Sequence, residues 1–274
     1  MNKEVEALKL LNVLVRIGEA NKGITAGTDN RILDAEGLLL KFIGHAYSAI
    51  YLYRSTNIPE NDASFFDAGS INVLGRAALE TFLIFNYIFV APTSDQERDF
   101  RYFSWLLAGM IEKQNYHRAL SSKGKRQLLA EKESISLLQE QISKNPCINM
   151  LSTKQQRRIT KKGEWRLSSW KEIGLSAGLD EIHAQVFYSY LCGYSHAGNQ
   201  SVLQLRNAQT AETQKTLCAA TINLMAIAAA NMIKSYCRVF PNCQSILDNE
   251  KDLAAFVDFW VSLGSMSTQN GQND

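Results

Sequence analysis

Arg76 and Glu80 stand four residues apart in Val73-Leu74-Gly75-Arg76-Ala77-Ala78-Leu79-Glu80-Thr81-Phe82-Leu83-Ile84-Phe85, a run that is otherwise almost wholly apolar. That spacing puts both on one helix face, one turn apart. Removing an unpaired charge from water costs several kcal/mol, so each group needs a partner wherever this helix packs. A guanidinium held there can bind a phosphate or an anionic transition state, with the carboxylate fixing its orientation. The architectural alternative is an ion pair that pins the helix to its neighbours.

The second group of interest is Tyr190-Leu191-Cys192-Gly193-Tyr194-Ser195-His196. A His just past a helix C-terminus lies where the carbonyl dipoles favour its charged form, and it can serve as a general acid or base. It can equally cap the last carbonyls of the helix. Ser195 is not made a nucleophile by being its neighbour in the chain, because a triad needs adjacency in space. Arg76, Glu80 and His196 are therefore the candidate catalytic residues. Tyr190 and Ser195 are candidates for substrate contact, together with Arg101 and Tyr102, which share a helix face with Arg98 and have Trp105 close by.

A third feature is the basic stretch of Lys154, Arg157, Arg158, Lys161, Lys162, Arg166 and Lys171, with Trp165 and Trp170 interleaved. Cations suit phosphates and indoles suit stacked bases, so this pattern fits a nucleic-acid strand, RNA in the first instance. Its alternative is a solvated segment whose charge prevents aggregation. His45, among Phe42, Ile43, Tyr47 and Ile50, reads as a satisfied core histidine; His117 and His183 suggest no partner. The chain has no HExxH, no clustered metal-ligand set, no GxxxxGK[ST] and no GxSxG, so neither a metal nor a cofactor is expected.

Composition narrows the class. A net charge of +2 over 274 residues makes the whole molecule no magnet for polyanions, so any such binding needs a local patch. Five cysteines at irregular spacing, without CxxC, fit a reduced cytoplasmic compartment rather than a zinc site or disulfide framework. The N-terminus opens directly into an amphipathic pattern with acidic residues, unlike a signal peptide. The longest apolar stretch, Thr216 to Ile233, is dominated by Ala and holds two Asn, which reads as a buried central helix rather than a membrane span.

Helical periodicity covers nearly everything: about 4–19, 32–54, 63–90, 94–119, 124–144, 168–177, 180–194, 209–239 and a last helix from Pro241 to Leu263-Gly264. Residues 20–30 read as a loop ending in a cap, 147–167 as the least regular part, and 265–274 as a disordered tail. No strand pair is evident. The expected fold class is all-α: a single bundle-like domain of about eight to nine helices over 1–264, with a polar insertion possible at 120–167.

Arg76-xxx-Glu80 followed by aromatics and Tyr87-Ile88, then Arg101-Tyr102, Trp165 and Tyr190 through Ser195-His196, resembles a family of uncharacterised bacterial helical proteins known mainly as a domain of unknown function. The likeness spans roughly 35–240. The overall style also resembles the HEPN superfamily of small helical bundles. That likeness implies a homo-oligomer and a metal-independent ribonuclease of bacterial stress or phage defence, with an Arg and a His four to six residues apart. No Arg of this chain stands at that distance before any of its four His, so an equivalent centre has to be built across helices from Arg76 and His196. Two further readings remain open: a non-catalytic helical module that binds a partner protein, and a small-molecule or nucleotide sensor with an anion pocket at Arg76. None of the three involves a membrane.

Overall fold

The computed structural model describes residues 3–23, 30–116 and 121–266. The loop expected over 20–30, the tail from 265 and His117 fall wholly or largely outside these residues. The fold is all-α. Thirteen α-helices occur among the described residues: α1 (Lys3–Glu19), α2 (Arg31–Leu52), α3 (Ala68–Phe85), α4 (Asp95–Tyr116), α5 (Ser122–Lys144), α6 (Pro146–Asn149), α7 (Thr153–Lys162), α8 (Trp170–Ser176), α9 (Tyr188–Ser195), α10 (Asn199–Asn207), α11 (Ala211–Val239), α12 (Gln244–Asp248) and α13 (Lys251–Ser265). The count exceeds the expected eight to nine because four of them are eight residues or shorter, below the window in which periodicity can be read.

The chain forms two compact units: residues 1–86 with 170–274, and residues 87–169. The possible insertion at 120–167 falls inside the second.

In the first unit α11 is the central helix, packed against α1, α3 and α13. Its Ala-Ile-Ala-Ala-Ala run, residues 226–230, is buried throughout. Small side chains let neighbouring backbones approach closely: a Cβ on Gly264 of α13 would stand 2.5 Å from Ile227 Cγ2. Thr210 opens α11 with a reciprocal capping box to Thr213. Both α11 and the segment Ala68–Val90 are long and apolar enough to cross a membrane; 72% of the α11 window is buried inside the fold. Buried polar groups tie helices together. Thr221 of α11 donates to Asn72 of α3, and the Asn21 amide donates to Tyr236 Oη at 2.8 Å.

Three readings from sequence need correction here. A two-stranded antiparallel pair, Thr56–Ile58 with Ala63–Phe65, occupies the place where the Arg76 helix was expected to begin. That helix starts instead at Ala68, where the Asp67 carboxylate accepts from Ser70 N at 2.9 Å. Residues 147–167, expected to be the least regular part, hold most of α6 and all of α7, while 163–167 lie outside any helix. Asn145-Pro146 starts a helix rather than merely breaking one, since the Asn145 side chain accepts from Cys147 N and proline suits the first helical position. Residues 199–207, left without an element, form α10.

The second unit closes around Phe100, Leu107, Leu138, Ile142, Ile148 and Ile159. Ile159 anchors the strongly polar α7, which ends at Gly163 in the left-handed region (φ +69°), with Ala108 Cα 3.1 Å from where a Cβ would stand.

His45 is not a satisfied core histidine: its Nε2 is buried and has no hydrogen-bond partner among the described residues. Burial, helped by nearby Lys41, holds its pKa below the ordinary value. The neutral ring is thus the folded form. The stabilisation is present above the ordinary histidine pKa of about 6.5 and is lost as pH falls through the depressed folded value. The melting temperature is expected to drop from about pH 7 to about pH 5, and His45→Gln to flatten that slope in thermal melts; an unchanged slope would refute the assignment.

Candidate functional site

The first unit brings Arg76, Glu80 and His196 together. Arg76 is carried by α3 beside Gly75, whose missing side chain allows α3 to meet α11: a Cβ there would lie 2.2 Å from Thr221 Cγ2. This contact sets how deep Arg76 sits. Its side chain is 20% exposed, and that of Glu80 26%. Arg76 Nε donates to Glu80 Oε1 at 2.9 Å, one helical turn on. Its Nη1 lies 3.0 Å from His196 Nε2, from a position 120 residues later. A guanidinium has donors only, so this contact makes Nε2 the acceptor and leaves the ring proton on Nδ1.

Sequence reasoning missed the fourth member. Tyr188 Oη donates to Glu80 Oε1 at 2.8 Å, and its ring lies under the Arg76 guanidinium with 5.7 Å from Cζ to the ring centre. The signal was available: Tyr188, Cys192 and His196 recur at every fourth residue, one face of one helix. Burial, then the bond to Glu80, pushes the Tyr188 pKa well above the ordinary range, so it stays a protonated donor. For Arg76 burial opposes the charge, but the bond and charge of Glu80 outweigh it and the net shift is upward.

His196 is exposed and follows the last residue of α9. Gly198 N reaches back to Gly193 O at 2.7 Å, the six-residue closure of a helix C-terminus. That closure requires a left-handed residue at position 197, where this chain has Ala at φ +51°. The turn presents the imidazole to Arg76.

The other candidates of the first unit bond to different partners. Tyr190 turns to Tyr194, ring centres 5.2 Å apart, and the Tyr194 hydroxyl donates to Gln204 at 2.8 Å. Ser195 Oγ donates to Leu191 O at 3.3 Å. His183, for which no partner was foreseen, meets Asp180 Oδ1 through Nδ1 at 2.7 Å. Within the second unit, Tyr102 is a core residue, 3% exposed among Phe89, Phe103 and Trp105, and so cannot touch a substrate. Arg101 donates to Tyr87 O at 2.8 Å and to Glu97 at 2.5 Å, and stacks over the Tyr87 ring. Lys154, Arg157, Lys161 and Lys162 are exposed on or beside α7, while Arg158 is held by Glu164. Trp165 packs edge-on to Tyr87 and, with Trp105, Gly109 and Lys162, lines a groove of about 720 Å³. Among the described residues no three His, Cys, Asp or Glu side chains converge as a metal site.

A helical domain with a half-buried Arg–Glu–Tyr–His cluster is thus the class this geometry defines. The chain belongs to DUF5677, a family of unknown function whose model matches residues 37–213, a span that contains all four members of the cluster. No curated protein and no solved structure matches it. The expected resemblance to a domain of unknown function is therefore borne out, whereas the HEPN likeness rests on no match.

Two stability predictions follow from this packing. Gly75→Ala forces its Cβ into Thr221 and is expected to cost about 1–3 kcal/mol in denaturant unfolding. Ala197→Gly relieves a left-handed alanine and is expected to gain about 0.5–1 kcal/mol in the same assay. Wild-type stability in the first, or a loss in the second, would contradict the contacts described.

Proposed function

We propose that Arg76, Glu80, Tyr188 and His196 form a metal-independent site that cleaves RNA by transesterification. The observation that carries the reading is the 3.0 Å contact between a half-buried, doubly braced guanidinium and an exposed imidazole. A purely architectural pair needs no titratable group at the surface. In the proposed step a phosphodiester oxygen takes Arg76 Nη1 from His196, which frees Nε2 to remove the proton of the adjacent 2′-hydroxyl. The 2′-oxygen then attacks phosphorus and the 5′-oxygen leaves, taking a proton from water. Arg76 stabilises the charge that builds on the phosphorane, and Glu80 and Tyr188 keep the guanidinium aimed.

Charge distribution supports a polyanionic substrate. Residues 87–169 hold 15 Lys and Arg against 8 Asp and Glu, a net of +7, whereas the rest of the chain is −5. The near-neutral total thus hides a strongly basic unit, and its groove offers two indoles beside Lys162 for stacked bases.

Purified protein incubated with a single-stranded RNA oligonucleotide in EDTA is expected to yield 2′,3′-cyclic phosphate and 5′-hydroxyl ends. His196→Ala is expected to lower the rate by about 10²-fold or more with an unchanged melt, because the ring is exposed. Arg76→Lys is expected to fail too, since an ammonium cannot brace Glu80 and reach the phosphate as a fork does. Intact RNA with wild-type protein, or equal cleavage by His196→Ala, would end the proposal.

A further inference from the structure

The face of α2 turned away from the fold carries a 4-3 repeat, Leu33, Gly37, Leu40 and Gly44, with Tyr51 one heptad beyond Gly44; Tyr47, between them, turns to α1, where its hydroxyl donates to Asn12 Oδ1 at 2.7 Å. Helices seldom spend such a pattern on water. The opposite face of the same helix is the ordinary one, with Ala35, Leu38, Leu39, Phe42, Ala46, Ala49 and Ile50 buried in the first unit. On the outer face Leu33 is 54% exposed, Leu40 69% and Tyr51 73%. A Cβ added at Gly37 or Gly44 would meet nothing within 4 Å, so both are open hollows between apolar knobs. A 4-3 repeat is the seam of a two-helix coiled coil, in which each knob enters a hole on the facing helix.

The seam is complementary to itself. In an antiparallel pairing about a two-fold axis, the layers join one knob class to the other. With residues whose numbers sum to 77 placed opposite, Leu40 enters the hollow at the partner's Gly37 and Leu33 that at the partner's Gly44, and each contact occurs twice. The flanking charges agree: Lys41 of each copy faces Asp34 in the acidic first turn of the other helix. Sliding the pair by one heptad, to a sum of 84, also matches the layers but sets Lys41 against its own copy. Charge therefore selects the first register. We infer that α2 is a self-association surface, and that two copies of this chain pair antiparallel through Leu33–Gly44 in that register. The inference does not depend on the RNA reading.

The paired segment of twelve residues spans about 18 Å. So short a seam falls at the small end of interface size, which implies a dissociation constant of the order of micromolar rather than nanomolar. Sedimentation equilibrium of the full chain over roughly 1–200 µM brackets that range. Wild type is expected to show a monomer–dimer equilibrium. Leu40→Asp, on an exposed position, is expected to raise the dissociation constant at least tenfold without moving the melt. Lys41→Asp is expected to weaken association, and Lys41→Asp with Asp34→Lys to restore it. A wild type that stays monomeric throughout, or Leu40→Asp that associates as wild type does, overturns the surface. Lys41→Gln that associates more tightly overturns the register, since only the shifted pairing gains from losing that positive charge.

Discussion

A guanidinium offers five donors and no acceptor, and it cannot shed its charge. Once Gly75 lets α3 settle onto Thr221 of α11, the neighbouring Arg76 is half-buried and must be answered from within the protein. Glu80 answers along the same helix. The remaining fork reaches across to whatever the second helix presents, and that helix presents His196. Much of the first unit serves this meeting: the closely packed α3–α11 pair sets the depth, and α9 brings Tyr188 at its start and His196 beyond its end.

The cluster differs from a plain buried ion pair in its gradient of exposure. Its carboxylate and phenol are braced inside, its imidazole stands outside, and one guanidinium connects them. Such an arrangement holds a cation in fixed geometry beside a titratable group that solvent or a ligand can reach. That is the physical requirement for moving a proton next to a developing negative charge. The local backbone contributes as well, since an alanine in the left-handed region carries strain that a glycine would not. Strain of this kind persists where the surrounding structure over-determines it, here the closure of Gly198 onto Gly193.

Charge is organised on a larger scale than the cluster. A net +2 suggested indifference to polyanions, yet the units carry +7 and −5. Whole-chain charge is an average over surfaces that act separately, and only the division into units reveals the opposition. Apolar surface shows a similar division: α2 buries one face in the core and leaves a second, regularly spaced one outside.

The sequence by itself determined the all-α class, the register of α11 as a central helix and the pairing of Arg76 with Glu80. Those follow from local periodicity and from the reach of side chains one turn apart. It also identified His196 as a helix-terminal histidine, because caps and turns are short-range chemistry. Tertiary structure alone decided that His196 meets Arg76 across 120 residues, that Tyr188 rather than Tyr190 joins them, and that Tyr102 is core. Residues two apart on one helix point in different directions, and which direction faces α3 depends on how α9 packs. Short helices such as α6 and α10 likewise escaped periodicity, since one or two turns hold too few residues to establish a period. Long-range contacts are properties of packing, and packing is settled only when all the faces compete for the same core.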